Sequence, residues 1–131
     1  MDASVLRTVP LFAGLSDSDR RQVARWMDQI EVGAGTPLAR EGDFAYEFFL
    51  IEEGTAEVTH DGAVVTVMGP GEYFGEIALL DTRRRTASVT ASTPMRLIVM
   101  FKREFQSMAD AHPEIADAIR AAGKERLERT S

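Results

Sequence analysis

Residues 69–89 read Gly-Pro-Gly-Glu-Tyr-Phe-Gly-Glu-Ile-Ala-Leu-Leu-Asp-Thr-Arg-Arg-Arg-Thr-Ala-Ser-Val. Glu76-Ile-Ala-Leu-Leu80 has helical rather than alternating character, so a short helix is predicted inside a region that otherwise reads as strands. The first residues of such a helix expose unpaired backbone N–H groups, and three arginines stand close by, just before a β-branched run. A helix start with a guanidinium beside it is an anion site, strongest for a phosphate that accepts a forked hydrogen bond. In a chain of net charge −6, a local cationic pocket points to a small phosphorylated ligand. Glu76 would repel a phosphate but suits a hydroxyl donor, so a sugar beside the phosphate satisfies both groups. Ribose phosphate is the ligand chemistry this reading supports.

Outward from this stretch, residues 29–101 are short β-branched and aromatic runs punctuated by glycine. Strands are predicted near Gln29–Val32, Pro37–Arg40, Glu47–Glu53, Ala56–His60, Val64–Met68, Ala87–Ala91 and Arg96–Phe101. Asp61-Gly62 between two of them is a hairpin signal, because a type I′ turn needs residues that tolerate positive φ. Many short strands joined by tight turns predict a roll, barrel or sandwich.

Helical spacing brackets the strands. Ser16 with Asp19 reads as a helix cap, and Val23, Trp26, Met27 and Ile30 recur helically, predicting a helix over about 17–27, the one clear helix of the first half. After the strands, Lys102–Ala111 and a segment from Pro113 to about Arg129 read as two further helices. Ile115, Ala118, Ile119 and Ala122 make an apolar stripe that packs on the body, and Gly123 weakens that last helix midway.

At 131 residues, 44% hydrophobic and 27% charged, the chain is long enough to bury a core as one domain, 1–131, without staples. There is no cysteine, which excludes disulfides and thiolate ligands and fits a reducing compartment. Residues 1–15 carry no basic cluster and no long apolar run, so no secretory signal is expected. No apolar run approaches the roughly 18 residues of a membrane span. The expected location is cytoplasmic. Without a basic face, direct nucleic-acid binding is not expected.

Phe74-Gly-Glu-Ile-Ala-Leu79 followed by Arg85-Thr-Ala-Ser-Val89 resembles the phosphate-binding cassette of the cyclic nucleotide-binding domains found in catabolite activator proteins, cyclic-nucleotide-gated channels and kinase regulatory subunits. Eight residues, 77–84, separate Glu76 from Arg85, as in the kinase and channel members. Gly35–Asp43 and Phe49–Val58 look like the family's early strands and hairpin, so the resemblance runs from about Pro10 to Phe105. It implies a mostly β fold with flanking helices: an eight-stranded antiparallel, jelly-roll-like β-roll over about 29–101, an N-terminal helix, a short cassette helix, and C-terminal helices over about 102–129. It further implies that Arg85 grips a cyclic phosphate and Glu76 the ribose 2′-hydroxyl, with backbone groups of Gly75, Ile77 and Ala78 completing the cradle. Thr86 stands where the family places a hydroxyl near the phosphate or near a syn guanine. Val58, Val65 and Met68 are candidate walls around the base. One departure stands out: the loop Asp81-Thr-Arg-Arg84 lacks the family's usual glycine or proline before the arginine. Its shape is expected to differ, leaving open whether Arg83 or Arg84 shares the phosphate.

Plainer readings weigh on the remaining residues. Gly69, Gly71 and Gly75 are not a dinucleotide fingerprint, since the third glycine is one place late and no βαβ unit surrounds it. His60 and His112, far apart in sequence, read as surface residues rather than metal ligands. Tyr46, Phe48, Phe49, Tyr73, Phe74 and Phe101 are expected in the core, with Trp26. The function implied is a cAMP or cGMP sensor, with no metal or cofactor, that signals through movement of its C-terminal helices to an effector protein. The 115–122 stripe makes a homodimer an open expectation. The alternative is an interaction module that kept the fold and lost the ligand. No catalytic constellation presents itself. Base preference, effector and oligomeric state are not legible.

Overall fold

The computed structural model describes residues 2–130, with side chains described through Lys124. A 3-10 helix over Ala3–Thr8, α1 (Pro10–Ala13) and α2 (Asp17–Ala24) precede the strands. The strands are β1 (Asp28–Val32), β2 (Pro37–Ala39), β3 (Glu47–Glu53), β4 (Ala56–His60), β5 (Ala63–Met68), β6 (Tyr73–Phe74), β7 (Ser88–Ala91) and β8 (Met95–Phe101). A second 3-10 helix, Glu76–Leu79, separates β6 from β7, and α3 (Lys102–Ala111) and α4 (Pro113–Thr130) close the chain.

The strands form two four-stranded antiparallel sheets, ordered β1-β8-β3-β6 and β2-β7-β4-β5. This is the eight-stranded β-roll with flanking helices. Because side chains alternate along a strand, the first sheet serves two cores. Phe48, Leu50, Ile98 and Met100 face the helices, where they meet Leu6, Phe12, Val23, Phe105, Ile115 and Ile119. Phe49, Ile51, Leu97 and Val99 face the second sheet, where they meet Ala39, Ala56, Val89 and Ala91.

Local chemistry explains the ends. Ser16 accepts from the Asp19 N–H at 3.0 Å and starts α2 as an N-cap. Arg20, buried on α2, donates to the carbonyls of Phe12, Ala13 and Leu15, tying down the end of α1, and to Asp17 at 2.6 Å. Arg7 also reaches Asp17, at 2.8 Å. The β4–β5 turn has Asp61 at φ 51 and Gly62 at φ 81, as the hairpin signal predicted. No helix among the described residues is long and apolar enough to cross a membrane.

Several expectations are corrected. α2 stops at Ala24 rather than Met27: Met27 closes a turn onto the Ala24 carbonyl, and Ile30 sits in β1 opposite Leu97, so its helical spacing is coincidental. The first half holds more than one helix, since the short 3–8 and 10–13 turns carry Leu6, Leu11 and Phe12 into the core. The eighth strand is the two-residue β6, too short for alternation to reveal. Tyr46 and Phe101 are 54% and 40% exposed; they stand where β3 begins and β8 ends, and their side chains remain on the surface. On α4, Ala118 is exposed and Ala116 is buried in its place, because the helix seats along 115, 116 and 119. Gly123 is a packing residue as well as a weak helix former: a Cβ there would overlap Leu80 Cδ1 and lie 3.5 Å from Leu11 Cδ2.

Candidate functional site

β6 pairs with β3 so that Phe74 lies opposite Phe49, the rings stacking at 5.0 Å. That contact delivers the chain to Gly75, whose φ of 80° and ψ of 13° turn it left-handed into the second 3-10 helix. A Cβ at Gly75 would lie 2.5 Å from both Arg85 Nη1 and the Glu47 carbonyl. Glycine is needed here twice, for conformation and for space.

Arg85 lies immediately over this turn. Its side chain is only 8% exposed, and its Nη2 donates to the Glu47 carbonyl at 2.8 Å and to the Glu47 carboxylate at 3.0 Å. A guanidinium this enclosed requires a carboxylate partner, and Glu47 at the start of β3 supplies it. The Arg85 backbone is equally constrained: its N–H donates to Asp43 at 2.7 Å, and its carbonyl accepts from Gly42 at 2.9 Å. The loop between β2 and β3 therefore holds residues 83–85 as a strand would, with Ala45 N–H donating to Arg83 as well. These bonds give the loop before Arg85 its shape without a glycine or proline.

The neighbouring arginines have other partners. Arg83 donates Nε to Asp81 at 3.0 Å; that bond, with the Thr82 N–H, holds the Asp81 carboxyl below the ordinary carboxylate value. Arg84 lies 4.2 Å over the Phe44 ring, a cation–π contact, and donates to the Gly42 carbonyl at 2.7 Å.

A cavity of about 350 Å³ opens beside Arg85, within the size range of small-ligand sites. It brings together Gly75, Ile77, Ala78, Arg85 and Thr86 with Val58 and Met68, and Arg83 and Arg84 also line it. Glu76 opens the 3-10 helix but is not among the lining residues, nor is Val65. Val65 falls at the bulge where the β4–β5 register slips between Val58 and Thr59, and it is 60% exposed. Sequence reasoning passed over Ala39, Ala45, Phe74 and Val89, which complete the apolar wall, and Glu47, whose only sequence signal is a lone carboxylate heading the apolar run 48–51.

At the rim, His60 Nδ1 bonds the Thr86 carbonyl at 2.9 Å, and its ring lies 3.2 Å from the Glu41 carboxylate and 3.4 Å from that of Asp61. All three residues of this cluster are exposed, and Nδ1 is bonded to the carbonyl.

The sequence profile described as "Cyclic nucleotide-binding domain" matches residues 29–112, which takes in every strand but the first residue of β1. The chain is 36% identical over 106 residues to the cAMP-dependent protein kinase regulatory subunit of Schizosaccharomyces pombe, covering 80% of this chain and 26% of that protein. It is 33% identical over 122 residues to a cyclic nucleotide-gated potassium channel of Rhizobium etli, covering 93% and 34% respectively. The chain thus spans about a quarter to a third of the length of these curated relatives. In structure it is similar to the N-terminal domain of a transcriptional regulator from Streptomyces coelicolor A3(2), with a TM-score of 0.85, 32% identity, and 97% of this chain and 94% of that one covered. By fold, by cassette and by these likenesses, the chain belongs to the cyclic nucleotide-binding domain family.

Proposed function

We propose that residues 1–131 act as one sensor domain for cAMP or cGMP, that Arg85 binds the cyclic phosphate, and that Glu76 binds the ribose 2′-hydroxyl. The observation carrying this reading is the enclosed guanidinium of Arg85, set beside the left-handed turn at Gly75 and facing a cavity of about 350 Å³. Backbone groups of Gly75, Ile77 and Ala78 complete the cradle, Thr86 contributes its hydroxyl, and Val58 and Met68 flank the base. Val65 meets the base only if the hairpin shifts on binding. Glu47 holds Arg85 in place for the phosphate, which then shares the guanidinium with it.

Output passes through the C-terminal helices. Leu80, which ends the cassette helix, packs against Gly123 on α4, so a cassette that tightens on a ligand presses directly on α4. Ligand and helix arrangement are then coupled to the extent that affinity differs between arrangements. An effector protein in the cytoplasm receives the signal; no catalytic step and no metal or cofactor is involved.

The test is a thermal-shift titration with cyclic AMP, cyclic GMP and AMP on the wild type and Arg85→Ala. A ligand at about 100 times its dissociation constant adds roughly 2.7 kcal/mol. Stabilisation by a cyclic nucleotide but not by AMP, lost in the variant, is expected and identifies the preferred base. No shift with any of them transfers the reading to an interaction module without a ligand.

A further inference from the structure

We infer that His60 is a positioning residue for the proposed nucleotide site: its imidazolium, set between Glu41 and Asp61, clamps the Thr86 carbonyl and makes the cavity wall that carries Arg85 and Thr86 sensitive to pH. The inference rests on the reading of the cavity proposed above.

The geometry is a network that closes on the backbone of 85–88 from outside the cavity. Gly42 and Asp43 bond the Arg85 backbone, the Ser88 hydroxyl accepts from the Glu41 N–H at 2.9 Å, and His60 takes the intervening Thr86 carbonyl. Glu41 also accepts the Asp61 N–H at 3.1 Å, so one carboxylate serves both the ring and the turn behind it. His60, at the tip of the β4–β5 hairpin, thus carries the contact of β4 with β7, which ends at Thr59 and Ser88, on to the segment whose two side chains face the ligand.

With Nδ1–H donated to Thr86, a neutral ring would present its Nε2 lone pair to the Asp61 carboxylate at 3.4 Å. Protonation replaces that repulsion with an ion pair. The charged groups acting on the ring are Glu41, from the loop after β2, and Asp61, from the hairpin; the 85–88 segment supplies the neutral Thr86 carbonyl, while the Arg85 side chain is turned to Glu47. In keeping with this, the Thr86 bond first, then Glu41 and Asp61, raise the ring above the ordinary histidine value of 6.5. The sign follows from linkage: the ion pairing that holds the ring on the Thr86 carbonyl is fully present below the ordinary value and is lost as pH rises through the raised one, leaving a weaker, neutral contact. Nucleotide affinity should fall in that window, since a cyclic phosphodiester does not titrate there.

Two measurements test this. In the ligand-free protein, an NMR titration should find the His60 ring and the Thr86 and Ala87 amides moving with one midpoint, above 6.5, that drops in Glu41→Gln. Amides that ignore the ring overturn the clamp whatever the ligand. In calorimetry with cyclic AMP and cyclic GMP at about pH 5 and about pH 8, wild type should bind the preferred nucleotide roughly fivefold more weakly at the higher pH, a coupling at the low end for linked sites. His60→Gln, whose amide still donates to Thr86 without titrating, should bind with no such dependence, and His60→Ala more weakly at both. Wild-type pH dependence retained in His60→Gln overturns the inference and leaves the nucleotide site standing. Absence of binding by wild type at either pH removes the site itself, and the positioning role with it.

Discussion

At Gly75 a hydrogen is the only side chain that fits, so a substitution there tests the site with the Arg85 side chain still present. Gly75→Ala places a methyl against Arg85 Nη1 and the Glu47 carbonyl in a left-handed residue, so it should cost about 1–2 kcal/mol of stability by urea denaturation. It should also abolish nucleotide binding by displacing the guanidinium; full affinity in that variant would mean the ligand lies elsewhere. Arg85→Ala should lose about 2–4 kcal/mol of binding in calorimetry, the usual loss when one partner of an enclosed charge pair is truncated, and should leave Glu47 without its cation. Equal affinity of variant and wild type would remove Arg85 from the phosphate. Arg85, Gly75 and Ala78 were legible because the cassette is contiguous and its chemistry is local. Glu47 was not, because it lies 38 positions away from Arg85 and the bonding of the 42–45 loop to residues 83–85 is what brings it beneath the guanidinium. Arg83 and Arg84 line the same cavity but have other partners: Arg83 takes Asp81, two residues away, while the Phe44 ring that Arg84 covers is no less distant in sequence than Glu47 is from Arg85.

Among the elements, strands of five to seven residues could be placed almost to the residue from β-branched and aromatic runs and glycine punctuation, whether buried on both faces like β3 or largely exposed like β5. The two-residue β6 and the 3–8 and 10–13 helical turns were silent, because neither period repeats within so few residues. α4 is the element where the sequence conceals a second role for one residue. Gly123 reads as a defect, yet it is the notch that admits Leu80. Gly123→Leu should therefore destabilise the domain by about 1–3 kcal/mol through overpacking, outweighing the roughly 0.5–1 kcal/mol gained by replacing glycine inside a helix. Hydrogen exchange should quicken in α4 ahead of the β-roll, and an unchanged or raised melting temperature would show the notch to be dispensable.

For the whole molecule, part of the acid stability should depend on a carboxylate of the N-terminal layer. Asp17 bonds Arg20 and then Arg7, and these pairs hold its carboxyl down to about 2. A depressed carboxyl contributes stability that is present above its ordinary value of 3.8 and lost as pH falls through about 2. Melting curves of wild type and Asp17→Asn should therefore differ above that window and converge within it; parallel curves throughout would mean that the clamp on α1 does not depend on this charge. A last consequence comes from the alternation of β3 and β8, whose odd and even residues belong to different cores. Neither compartment owns its own wall. Shedding the helices would leave Phe48, Leu50, Ile98 and Met100 facing water, and opening the roll would do the same to Phe49, Ile51, Leu97 and Val99. Partial melting thus strips a face from whatever survives, so heat should take the domain apart in one cooperative calorimetric step, helices and strands together.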